Sequence, residues 1–209
     1  MQNKDIKEYF MKVKTIVSDY YSCNSYVVSK GNSCVVIDIG FDSKPIFEYI
    51  EKEGLKIEAV LLTHGHPDHV FKAKDFSDKG IKVFITKEDF ELPKNNFFGL
   101  RLAKEKFLVF EPIFIEGEQL ELGGITVDII KTPGHTKGGV VFIIGDYLFS
   151  GDTLFRGTVG RSDLYGGCSK TLRESVKKLL ELDKDYVVMA GHGENSTISY
   201  ERRHNFFIK

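Results

Sequence analysis

The stretch Thr63-His64-Gly65-His66-Pro67-Asp68-His69 constrains this chain more than any other feature. Three imidazoles and a carboxylate fall within six residues, directly after the apolar run Ala59-Val60-Leu61-Leu62. A single histidine is more often structural than a ligand, and histidines also gather on solvated loops. Here half of the chain's six histidines share one short segment. Neutral imidazole and carboxylate are the usual ligands of zinc and its neighbours among first-row metals. No ordinary core needs polar groups at that density. The stretch reads as the start of a metal site, to be judged by the elements around it.

Those elements alternate strand and helix. Residues 13–17 read as a strand, and 25–29 with 34–39 flank the turn cluster Lys30-Gly31-Asn32-Ser33 as a hairpin. Pro45 opens a helix with Ile46, Phe47, Tyr49 and Ile50 at helical spacing, and Gly54 suits its end. Residues 57–62 form the strand that delivers the histidine motif, and Pro67 with Asp68 suits the first turn of the next helix. Further strands are expected at 81–86, 125–130, 140–144, 147–149 and 186–190, with Gly145-Asp146 as a two-residue hairpin turn. Thr171 with Glu174 offers a capping box to a helix carrying Leu172, Val176, Leu179 and Leu180 on one face. The segment 87–112, with a helical run through Leu102 and Phe107, reads as a partial lid, and Phe97 and Phe98 in it are candidates to line an apolar pocket. With no repeat or linker, residues 1–209 are expected to form a single domain.

Lys and Arg number 29 against 30 Asp and Glu, so no global charge draws the chain to nucleic acid or an anionic membrane. No apolar segment approaches the roughly 20 residues that span a bilayer. Cys23, Cys34 and Cys168 are odd in number, and the polar start lacks an export leader, so reduced thiols in a cytoplasm are expected. The partner implied is a small-molecule substrate. The oligomeric state stays open.

His64, His135, Asp152 and His192 each follow an apolar run and a small or turn-forming residue. A rigid sheet aims several such strand ends at one place. The ligand inventory is then His64, His66, Asp68, His69, His135, Asp152 and His192. Seven is too many for one tetrahedral zinc and suits two ions sharing a bridging carboxylate. A hydroxide between two ions roughly 3.5–4 Å apart is a nucleophile at neutral pH. Two divalent ions less Asp68, Asp152 and that hydroxide leave about one positive charge, suited to a developing oxyanion.

These residues resemble the metallo-β-lactamase superfamily, in its glyoxalase II-like branch. His64-Gly65-His66-Pro67-Asp68-His69 is similar to the family's H-x-H-x-D-H. Thr132-Pro133-Gly134-His135-Thr136, Ser150-Gly151-Asp152-Thr153-Leu154-Phe155 and Ala190-Gly191-His192-Gly193 follow its other ligand blocks in order. The resemblance implies a mixed αβ/βα four-layer sandwich, with two mixed β-sheets face to face and helices on the outer faces. It implies His64, His66 and His135 on one metal, Asp68, His69 and His192 on the other, and Asp152 bridging, with Asp68 and Asp152 catalytic. Two divalent ions are expected, zinc first, with iron or manganese as substitutes. The segment Gly157 to Leu164 also resembles small hydrolases of that branch, which gives Arg161, and with it Tyr165, a substrate-binding role; a plain ion pair is the competing reading of Arg161. The helical C-terminal domain that helps glyoxalase II enzymes hold glutathione has no counterpart in the 17 residues after His192.

A thioester fits this inventory because a thiolate leaves readily near neutral pH. A β-lactam needs its nitrogen protonated, and related lactamases often carry Cys where Asp152 stands. Thioester hydrolysis of the hydroxyacylglutathione type is therefore expected. The alternative is a persulfide dioxygenase with one iron on His64, His135 and Asp152. A catalytically silent scaffold or regulator comes third.

Overall fold

Strands that are apolar on both faces need cover on both sides, and this requirement sets the layers of the fold. The computed structural model describes residues 10–91 and 109–208. Its first half runs β1 (Met11–Val17), β2 (Asn24–Lys30), β3 (Ser33–Ile37), α1 (Lys44–Glu53), β4 (Lys56–Leu61), α2 (Pro67–Val70), α3 (Ala73–Ser77), β5 (Lys82–Ile85), α4 (Lys87–Glu91) and β6 (Pro112–Phe114). The second half runs β7 (Gln119–Leu122), β8 (Ile125–Lys131), β9 (Val140–Ile144), β10 (Tyr147–Gly151), α5 (Ser169–Leu180), β11 (Val187–Ala190), β12 (Ser196–Thr197) and α6 (Ile198–His204).

Among the described residues the strands form two six-stranded sheets, ordered β1-β2-β3-β4-β5-β6 and β12-β11-β10-β9-β8-β7. Both are mixed. In the first, β1, β2 and β3 pair antiparallel and β3 to β6 pair parallel. In the second, β10 and β11 are parallel and the other pairs antiparallel.

Alternation along each strand feeds two cores. Val35, Ile37 and Leu61 of the first sheet meet Val127, Phe142 and Met189 of the second between the sheets. Val36, Val60 and Val83 face outward onto Ile46, Ile50 and Phe76 of the helices α1 and α3. On the far side, Val141, Ile143 and Val188 pack on Leu172, Val176 and Leu179 of α5. The result is the expected four-layer sandwich, helix–sheet–sheet–helix. Among the described residues no helix is long and apolar enough to cross a membrane.

Local signals held where a side chain was required for them. Gly54 ends α1 in the left-handed region at φ 64°, and Pro67 opens α2 with His66 as its N-cap. The capping box is a correction: α5 begins at Ser169, its N-cap is Cys168, and the Thr171 hydroxyl donates to Cys168 Sγ at 3.3 Å. The apolar face identified the helix, but its start lies one turn earlier, where Cys168 N donates to Gly134 O. Of the expected lid at 87–112, residues 87–91 form α4 and 112 begins β6; Phe97, Phe98 and the run through Leu102 and Phe107 lie outside the described residues.

Candidate metal centre

Four strand ends meet at one edge of the sandwich. β4 leads to His64, β8 to His135, β10 to Asp152 and β11 to His192. β8 and β10 both run against β9, and β11 runs with β10, so these three deliver their C-terminal loops to the same edge. The sheets are stitched there by backbone: Val140 N donates to Thr63 O at 2.9 Å, and Asn24 N to Gly191 O at 2.8 Å. The loops approach so closely that several positions admit only glycine, Gly151 and Gly191 among them. Gly151 has φ 48°, and a Cβ on it would lie 2.4 Å from Thr63 Oγ1. A Cβ on Gly191 would lie 2.3 Å from Asp152 Oδ1 and 2.8 Å from His69 Cε1. Gly191→Ala is therefore expected to displace Asp152 while leaving every donor in the chain. Competition with a chelating dye should show metal binding weakened about 10–100-fold, the cost typical of misdirected ligands.

All seven expected ligands come together, in two groups. The donor atoms of His64, His66 and His135 lie within 4.8 Å of one another, with His66 Nδ1 2.8 Å from His135 Nε2. In the second group His192 Nε2 is 3.3 Å from His69 Nε2 and 3.2 Å from Asp68 Oδ2, and His69 Nε2 is 3.8 Å from Asp68 Oδ2. Asp152 stands between them: Oδ1 is 3.3 Å from His69 Nε2 and 3.7 Å from His192 Nε2, while Oδ2 is 3.6 Å from His135 Nε2.

Neighbouring groups fix the imidazole tautomers. The Thr63 hydroxyl donates to Asp38 Oδ2 at 2.7 Å, so it accepts from His64 Nδ1 at 3.0 Å. His69 Nδ1 donates to Asp38 Oδ2 at 2.8 Å, and His135 Nδ1 to the Arg161 carbonyl at 2.6 Å. His64 and His135 thus keep an Nε2 lone pair for the centre, and His69 directs its Nε2 there, the arrangement that orients metal-binding histidines. His64 Nε2 and Asp152 Oδ1 are buried without any hydrogen bond. An orphaned buried acceptor costs about 1–3 kcal/mol. One kind of partner satisfies both, a cation, and the donor set fits a metal pair.

Charge follows the same division. Burial holds His64 well below its ordinary pKa, pushes His66 down to about 3 and lowers His135, so these rings are neutral, as ligation requires. Burial also opposes charge on His69, but the carboxylates of Asp152, Asp38 and Asp68 outweigh it and raise the ring well above its ordinary value. His192 is raised against burial by Asp68 and Asp152. The same rings hold Asp68 and Asp152 below the usual carboxylate range despite their burial. Protons sit in the second group where a cation would displace them.

A cavity of about 300 Å³ opens onto both groups. Beyond the ligands it is walled by Tyr21, Phe41, Pro67, Phe155, Leu164 and Arg161. Arg161 lines this cavity, and its Nε and Nη2 donate to the two Asp163 carboxylate oxygens, each at 2.7 Å. Tyr165, the other residue expected to meet substrate, is 52% exposed, and its neighbour Leu164 lines the cavity. Tyr21 and Ser22 hold φ of 58° and 51°. The left-handed region costs a non-glycine residue about 1–2 kcal/mol.

Three buried groups at the site were not anticipated. Asp38 follows β3 as the ligands follow their strands, a signal present in Ile37-Asp38-Ile39-Gly40; it anchors Thr63 N at 2.8 Å besides the two contacts above. Cys23 packs its thiol 3.6 Å from His69 Nδ1, and burial pushes it up to about 11, so it stays neutral. Asp89 of α4 ties two ligand loops together, accepting from Gly65 N at 3.0 Å, the Thr136 hydroxyl at 2.7 Å and Gly138 N at 2.7 Å. Burial pushes its carboxyl up to about 6 against those three donors. The folded state therefore binds a proton that the unfolded state releases between about pH 4 and 6, and stability falls as pH rises through that window. A shift of about two units corresponds to about 3 kcal/mol. Urea unfolding of the wild type and Asp89→Asn should show the wild type's advantage shrinking by about that much from pH 4 to 6.5.

The comparisons with known proteins agree with this geometry. The profile of the Metallo-beta-lactamase superfamily matches residues 19–192. The Haemophilus influenzae protein named hydroxyacylglutathione hydrolase GloC is 37% identical over 186 residues, covering 84% of this chain and 87% of that protein. Among solved structures, the BLEG-1 B3 metallo-beta-lactamase superposes with a TM-score of 0.85 at 29% identity, over 95% of this chain and all of that one. TTHA1623 in a di-iron-bound form gives 0.80 at 34% identity, over 93% of this chain and all of that one. A profile spanning most of the chain and a fold shared along its length carry the same conclusion: the chain belongs to the metallo-beta-lactamase superfamily.

Proposed function

We propose that the chain is a dinuclear metal-dependent hydrolase that cleaves a thioester of the hydroxyacylglutathione type. In this reading His64, His66 and His135 hold one divalent ion, Asp68, His69 and His192 hold the other, and Asp152 serves both. The division of the Asp152 carboxylate between the two groups carries it: Oδ1 lies 3.3 Å from His69 Nε2 and Oδ2 3.6 Å from His135 Nε2. The likeness to GloC supports the thioester, and the di-iron form of TTHA1623 supports a pair of ions.

When bound, two divalent ions acidify water to a pKa of about 7 and polarise a carbonyl. The chain's own groups do the rest. Asp68, at the edge of the cavity, accepts the proton that an attacking water gives up. Asp38, Thr63 and the Arg161 carbonyl hold the rings in one tautomer. A leaving thiolate, with a free pKa of about 8.5, needs little help from a general acid. The persulfide dioxygenase reading would use His64, His135 and Asp152 alone. It leaves the close approach of Asp68, His69 and His192 without a purpose. A silent scaffold leaves His64 Nε2 and Asp152 Oδ1 orphaned.

The test is a thioester panel, hydroxyacylglutathione included, run on the chelated protein and after restoring zinc, iron or manganese. Hydrolysis lost on chelation and regained with metal is expected. No cleavage under any loading contradicts the reading.

A further inference from the structure

We propose that the aromatic shelf beside the metal groups binds an uncharged, apolar acyl arm of the substrate, so that thioesters with aryl acyl groups are preferred over those with charged acyl groups. It rests on the thioester reading above and narrows it to a substrate class.

The shelf is a continuous set of rings. Tyr21 stacks on Phe41 at 5.6 Å, Phe41 meets Phe71 at 4.7 Å, and Tyr20 meets Phe41 edge-on at 6.1 Å. Tyr20 and Tyr21 are nonetheless 68% and 60% exposed. Exposed apolar surface gathered in one place marks a binding site. Tyr21 and Phe41 share their cavity with Asp68, Asp152 and His192, which makes a substrate arm the occupant. The rest of the lining is largely apolar too, with Leu164 and with Phe155 set edge-on to His192 at 6.1 Å.

Charge points the same way. Among the described residues that line the cavity, Arg161 is the one Arg or Lys, and Asp163 engages it through both carboxylate oxygens. A carboxylate on the acyl arm would have to compete with Asp163 for that guanidinium. An aryl or branched alkyl group carries none and finds Tyr21, Phe41, Phe155 and Leu164 in the lining.

The backbone holds the shelf at a cost. Tyr21 and Ser22 lie in the left-handed region within a turn closed by Ser18 N donating to Cys23 O at 2.9 Å. Strain kept by non-glycine residues gathers at ligand clamps. Here it fixes a ring at the cavity mouth.

The experiment compares acetyl, phenylacetyl and succinyl thioesters of N-acetylcysteamine on the metal-loaded chain and on Tyr21→Gly. The phenylacetyl ester should exceed the acetyl ester in kcat/KM by about tenfold or more, and the succinyl ester should fall below both. Tyr21→Gly should bring the phenylacetyl-to-acetyl ratio close to one without lowering the melting temperature, because glycine relieves the strained φ; a ring needed for folding alone would lower that temperature. A wild-type ratio near one, or a preference for succinyl, overturns the shelf and leaves thioester hydrolysis standing. If no thioester is cleaved, the reading beneath has failed, and calorimetry with the S-phenylethyl thioether of N-acetylcysteamine decides for the shelf. Saturable binding lost in Tyr21→Gly supports it, and absence of binding overturns it.

Discussion

Asp152→Asn is expected to lower kcat/KM by about a thousandfold or more, equivalent to about 4 kcal/mol of lost transition-state stabilisation. The carboxylate offers one oxygen to His69 and His192 and the other to the His135 side. An amide keeps one oxygen and turns an NH2 toward the other group, where neutral imidazole nitrogens and a bound cation both disfavour it. It also removes a negative charge from a donor set that suits cations. Metal content per chain should fall together with turnover, and circular dichroism should show the sandwich intact. A variant that kept both its metal and a tenth of its activity would remove Asp152 from the bridging role.

Asp38→Asn is expected to produce the largest effect of any residue outside the ligand set. The carboxylate accepts from Thr63 N on one oxygen, and from the Thr63 hydroxyl and His69 Nδ1 on the other. With asparagine, the amide nitrogen confronts a hydroxyl and a ring nitrogen that both donate. Either a buried donor goes unpaired or His69 changes tautomer and turns an Nε2–H toward Asp68, Asp152 and His192. The first outcome costs about 3 kcal/mol of stability. The second weakens metal binding at that group about 10–100-fold. Urea unfolding and chelator competition measure the two, and nitrogen NMR of the imidazoles reports the tautomer. Unchanged values in all three would mean that Asp38 is only packed beside the site.

Much of this site is legible in the chain because each ligand follows a strand that had to be apolar. Val60-Leu61-Leu62 before His64 and Val188-Met189-Ala190 before His192 are buried in the layers they were expected to join. Asp38 carries the same signature, yet it falls inside the expected strand 34–39, where a lone carboxylate gives no sign of its partners Thr63 and His69. Asp89 gives no local sign, since its value lies in Gly65, Thr136 and Gly138, which only the fold brings near it. The short elements escaped for a different reason. β6 and β12 have three and two residues, too few for alternation to register. α6 presents Glu201 inward, where it accepts from Gly157 N and the Asn205 amide and so anchors the loop that carries Arg161. A buried glutamate reads as surface until its partners are known.

The paired centre is tested most directly by anomalous diffraction from crystals of the metal-loaded chain. Two peaks are expected, one within about 2.0–2.2 Å of His64, His66 and His135 and the other at the same range from Asp68, His69 and His192, with Asp152 touching both. A single peak among His64, His135 and Asp152, or peaks only on the surface, would contradict it.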